Sequence, residues 1–121
     1  MELQEIMAEF YGDDRDNDRL LTIAESNELV DYMIKTFDLY NHYEIDSTKE
    51  RAAFNVRQKF NKYYTVIKTK RDAIELSIED TDKVLAAKMV NAARDKIDEL
   101  AIKIVKSQLE KLKLSLEQNI E

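Results

Sequence analysis

The chain contains no cysteine, no proline and no tryptophan, and only one glycine and one histidine among its 121 residues. The missing thiols exclude disulfides, thiolate zinc sites and cysteine nucleophiles. His42 alone leaves no two-histidine metal ligation, and Gly12 alone leaves no glycine-rich phosphate cradle. With so few helix breakers the composition predicts an all-α fold in one domain spanning 1–121. Long apolar runs are missing too: nothing approaches the roughly 18 consecutive apolar residues of a membrane-spanning helix. The first residues, MELQEIMAEF, carry acids where a secretory signal carries bases. Together these absences predict a cytoplasmic protein with no membrane partner.

Charge is abundant, at 36% of residues, beside a hydrophobic fraction of 44% that is ample for a core. The net charge of −6 is spread unevenly: −10 over residues 1–48, +7 over 49–71 and −3 over 72–121. The acidic and basic parts are expected to attract one another within one helical bundle.

Apolar spacing divides the chain into four expected helices. Leu3, Ile6, Met7 and Phe10 predict a first helix over residues 2–11, ended by Gly12 and an acidic run. Ile23, Val30, Met33, Ile34, Phe37 and Tyr40 predict a second over 18–40, with a re-entry at Ser26. Ser47 and Glu50 have the spacing of a capping box. They would open a third helix in which Ala53, Val56, Phe60, Tyr63, Ile67 and Ile74 follow a seven-residue repeat. Ser77–Asp82 supplies capping residues for a fourth, over 82–119, with a seam of Val90, Ala93, Ile97, Leu100, Ile104, Leu109, Leu112, Leu116 and Ile120 that slips near Ser107. All ten Phe and Tyr lie between residues 10 and 64. The expected architecture is therefore an aromatic-rich bundle over 1–64, continued over 65–121 by a slimmer antiparallel hairpin of the third and fourth helices with coiled-coil character.

Residues Asp14-Arg15-Asp16-Asn17-Asp18-Arg19-Leu20-Leu21-Thr22-Ile23-Ala24-Glu25 carry acids at alternate positions, an apolar eighth residue and a terminal glutamate. The pattern resembles the twelve-residue calcium loop of the EF-hand family. The resemblance implies Ca2+ held by Asp14, Asp16 and Asp18, the Leu20 carbonyl, Thr22 through a water or its hydroxyl, and both oxygens of Glu25. Arg19 stands where the family has glycine, and a second loop over Asp38–Lys49 keeps only Asp38 and Ile45. The likeness covers the loop and its flanks and does not extend to residues 48–121.

The basic middle segment interleaves lysines and arginines with Phe54, Phe60, Tyr63 and Tyr64, as nucleic-acid surfaces do. Its bases form no single helical stripe, and the rest of the chain is strongly acidic, so nucleic acid is not the expected partner. Asp95 and Glu99 share a helix face, but no Glu-x-x-His pair is present, and no enzyme is expected. The leading expectation is a non-enzymatic interaction or oligomerisation protein that binds a protein partner or itself through Leu109, Leu112, Leu116 and Ile120. The alternatives are a calcium-binding module at 14–25 and a small acidic inhibitor or adaptor of a host protein.

Overall fold

A computed structural model describes residues 2–11, 14–70 and 73–118, and of Phe10, Tyr11, Asp14, Arg15 and Asp16 the backbone alone. The elements run β1 (Gln4–Tyr11), α1 (Asp14–Ala24), α2 (Asn27–Thr36), α3 (Leu39–His42), α4 (Ala52–Tyr63), β2 (Tyr64–Lys68), β3 (Ala73–Asp80) and α5 (Lys83–Gln118). The fold is mixed, not all-α: a three-stranded antiparallel sheet of order β1-β3-β2 packs against α5 and the shorter helices.

Three expectations are corrected by this architecture. Residues 4–11 form an edge strand where a first helix was expected, because Ile6 and Ala8 turn inward while Glu5, Met7 and Glu9 between them stay exposed. That two-residue alternation is the period of a strand. The expected third helix stops at Tyr63, and β2 and β3 occupy its second half. Tyr64-Thr65-Val66-Ile67 is a β-branched and aromatic run, and Ile74, Leu76 and Ile78 alternate inward along β3. The helical hairpin of coiled-coil character is consequently absent among the described residues, and α5 lies on a sheet instead. The capping box does not form either: α4 begins at Ala52 after Arg51, and Thr48 bonds to Asp46.

Other local expectations are met. Ser26 caps α2, accepting a hydrogen bond from the Leu29 amide at 3.3 Å and dividing the long second helix at the re-entry point. Asp82 accepts from the Leu85 amide at the start of α5, which covers nearly the expected span.

The core lies between the inner face of the sheet and the helices. Ile74, Leu76 and Ile78 meet Leu29, Met33, Phe60, Met89, Ala93 and Ile97 in one cluster. Tyr64 stacks on Phe60 with ring centroids 5.0 Å apart and donates from its hydroxyl to the Ala24 carbonyl at 2.8 Å. Burial, with the nearby Glu25 charge, pushes the Tyr64 phenol well above its usual range, so it stays a neutral donor. The opposite face of the sheet carries exposed Glu5, Met7, Glu9, Thr65 and Ile67 around the buried Ala73 and Ser77 of β3.

Candidate functional site

Two regions carry chemistry that core packing does not absorb: the outer half of α5 and a cleft beside His42.

Along the inner half of α5, Ala86, Met89, Val90, Ala93, Ile97 and Leu100 are buried. From Ile102 to Gln118 every residue is exposed. These 17 residues extend about 26 Å at 1.5 Å per residue. They nonetheless remain apolar: Leu109 is 60% exposed and Leu112 and Leu116 are each 56% exposed, alongside Ile102, Val105 and Leu114. Scattered exposed leucines are ordinary on a surface, but a regular series is not.

Ile102, Val105, Leu109, Leu112 and Leu116 recur at steps of three and four, the spacing of a helix-pairing seam. At 100° per residue, this seam sits roughly 130° around the helix from the buried stripe of the inner half. The slip near Ser107 in the sequence is thus a change of face. Residues that would continue the inner stripe are Ile104, which is 37% exposed, and then Ser107, Lys111, Ser115 and Gln118, which are polar. Of the expected contact residues, Leu109, Leu112 and Leu116 lie on the seam, and Ile120 lies outside the described residues. The expected seam, a single line through the whole helix, passes over Ile102 and Val105, although both stand at seam spacing from Leu109.

Residues 14–24 form helix α1, so the backbone is not the turning loop that the EF-hand resemblance implies. Within an α-helix, positions two apart diverge in direction. Asp18 and Thr22 are exposed on α1, with the Thr22 hydroxyl donating to the Asp18 carbonyl at 3.0 Å and Lys68 lying 3.7 Å from the Asp18 carboxylate. Leu20 packs against the core, and Glu25 is exposed after the helix ends. The side chains of Asp14 and Asp16 lie outside the described residues. Among the described residues, no group of three or more His, Asp or Glu side chains is placed to hold a metal.

His42, from α3, meets the end of β3, with its Nε2 2.5 Å from Oδ2 of the buried Asp80. Asp80 also accepts from the Asp82 amide at 2.9 Å. The neighbouring Tyr43 hydroxyl is buried with no hydrogen-bond partner, and burial, followed by the Asp80 charge, raises its phenol well above the usual range. A cleft of about 210 Å³ opens here between Leu3, His42, Tyr63 and Glu79. His42 and Asp80 tie α3 to the sheet, and Thr81 lines the same cleft.

Two bases of the middle segment meet the chain's own acids, Arg57 of α4 with Asp31 of α2 and Lys68 with Asp18, while most of the others are exposed. On α5, Lys96 contacts Glu99 at 3.3 Å and lies 4.8 Å over the ring of Tyr32. No helix of the described residues is long and apolar enough to cross a membrane. Comparison with protein-family models, with curated proteins and with solved structures gave no match to this chain.

Proposed function

We propose that this chain is a non-enzymatic association module whose contact segment is the outer half of α5. The observation that carries the reading is the regular seam of Ile102, Val105, Leu109, Leu112 and Leu116 on a helix segment whose every residue from Ile102 to Gln118 is exposed. Full burial of a leucine or valine stabilises by about 1.5–3 kcal/mol, so covering these half-exposed residues yields roughly 1 kcal/mol each. Water is a poor final environment for such a series, and another chain supplies a better one. Because residues 14–24 are helical, no described feature favours the calcium reading over this one.

Comparing the full chain with one ending at Gln108 tests the proposal. The shortened chain is expected to keep its melting temperature within a few degrees and to lose self-association in sedimentation and capture of other proteins alike. Loss of cooperative melting would make the segment part of the core, and association of every kind surviving the truncation would remove it from the interface.

A further inference from the structure

Charge is sorted along the exposed part of α5. Residues 95–118 hold five lysines and five acids, so this stretch is neutral where the chain as a whole is at −6. The two signs separate toward opposite ends. Asp95, Asp98 and Glu99 lie at the inner end, and Lys103, Lys106, Lys111 and Lys113 lie further out, with Glu110 and Glu117 among them. The seam runs into these acids: continued inward from Ile102 by steps of four and three, it passes Asp98 and Asp95. Every seam position from 95 to 116 is exposed, so one face of the helix is open over that whole length.

The two flanks of the seam differ. One carries Glu99, Lys106 and Lys113 at seven-residue intervals, and the other carries Ala101, Gln108 and Ser115, which are uncharged. When two such helices pair antiparallel, each flank meets its own counterpart, charged against charged and neutral against neutral. A parallel pair would set each charged flank against a neutral one and place Asp95 and Asp98 opposite themselves. The register follows from the same residues. With Ile102 opposite Leu112 and Val105 opposite Leu109, Lys113 of one helix lies beside Asp98 and Glu99 of the other. The two Lys106 side chains meet near the centre, each with Glu110 of the other helix within a turn. A slip of one heptad outward brings Lys106 against Lys113, and a slip inward buries Asp98 against Leu109 and Asp95 against Leu112. Glu99 already lies 3.3 Å from Lys96 at the surface, while Asp98 and Lys113 form no ion pair among the described residues.

Resting on the reading of α5 given above, we propose that the partner of the seam is a second copy of this chain, whose α5 lies antiparallel along it with Ile102 opposite Leu112 and Val105 opposite Leu109. Charge complementarity decides the occupant, because the acidic inner end and the basic outer end of one helix match the same two ends reversed. The contact is two-fold symmetric, so each pairing occurs twice and the association closes at a dimer. Residues 98–116 supply about 27 Å of paired helix, and the two folded bodies sit at opposite ends of it.

The test uses full-length chains in sedimentation velocity across a concentration series. The wild-type chain is expected to pass from monomer to dimer and no further. Lys113→Glu is expected to weaken the dimer at least tenfold, and so is Asp98→Lys/Glu99→Lys, with the melting temperature of the dilute chain unchanged because these side chains are exposed. Mixed in equal amounts, the two variants should recover a dimer, since one then carries acids and the other bases at all three positions. With no native cysteine, Ile102→Cys/Leu112→Cys should form disulfides between copies on mild oxidation. Leu112→Cys alone should not, because antiparallel pairing sets the two copies of that position about 15 Å apart along the axis, beyond the reach of a disulfide. A monomer at every concentration overturns the inference. So does a dimer indifferent to Lys113→Glu, a pair of variants that fail to complement, or a Leu112→Cys chain that cross-links to itself. The wider reading of the seam is judged separately, by the chain ending at Gln108, and falls if association with any protein survives that truncation.

Discussion

The two halves of α5 share one backbone and differ in what their apolar residues meet. The inner half uses small and branched side chains, Ala86, Val90, Ala93 and Ile97, that let the helix approach the sheet closely. The outer half uses Leu109, Leu112, Leu114 and Leu116, spaced by lysines, and leaves them more than half exposed. Both halves carry a regular apolar series, so the presence of such a series does not separate core from contact surface. The angular position of the residues does, because the stripe moves to another face near Ser107.

Ile97→Ala and Leu112→Ala offer the strongest attempt to break this contrast. Removing the buried Ile97 side chain is expected to cost about 2–5 kcal/mol, and removing Leu112 less than about 0.5 kcal/mol in the monomer. Urea denaturation measures both, and equal losses would mean that the outer half packs within its own chain. Amide exchange sharpens the same boundary without substitution. Protection should be high through Leu100 and fall along 102–118, where only the helix's own hydrogen bonds hold the amides.

The tyrosines extend the comparison to buried hydroxyls with and without partners. Tyr64→Phe removes the donor to the Ala24 carbonyl and should cost about 1 kcal/mol. Tyr43→Phe removes a hydroxyl that has no partner, and the melting temperature should stay level or rise. Both phenols are raised in the folded chain above the ordinary value of 10.0. The folded state therefore holds these protons more tightly than the unfolded state. Stability from this source is complete below about pH 10 and declines as pH rises beyond it. Tyr64→Phe and Tyr43→Phe should each make the alkaline melting profile flatter. Ser26→Ala is expected to cost about 1 kcal/mol or below, since its 3.3 Å cap is long and half-exposed.

Much of the helical part was legible in the residues. Ser26 carries its cap, Asp82 carries the start of α5, and the long apolar repeat of α5 is continuous enough to override any local ambiguity. β2 and β3 were obscured because the segment between them, Thr69-Lys70-Arg71-Asp72, has neither glycine nor proline and reads equally well as helix. Val56, Phe60, Tyr63, Ile67 and Ile74 also fit a seven-residue repeat by coincidence, although Ile67 faces outward on an edge strand and Ile74 inward on the central one. The alternation of Ile74, Leu76 and Ile78 was visible but short. For the contact segment, Leu109, Leu112 and Leu116 were identifiable from spacing alone, whereas their separation from the core stripe required knowing which face the sheet covers. The acidic outer face was not legible at all, since it depends on Glu5 and Glu9 meeting Glu79 and Glu75, 74 and 66 positions further on.

That pairing also sets the order in which the chain can fold. β2 and β3 are neighbours in sequence and can close as a hairpin early, but β1 has to wait for the same central strand to arrive. At synthesis rates of about 5–20 residues per second, residues 4–11 are exposed for several seconds before their partner leaves the ribosome. The closure of β1 onto β3 is a long-range step with a large loop entropy, and it completes the sheet last. During that interval the free edge of β3 is available to any extended strand that reaches it first, which makes the timing of synthesis, and not only the stability of the finished sheet, a determinant of correct assembly.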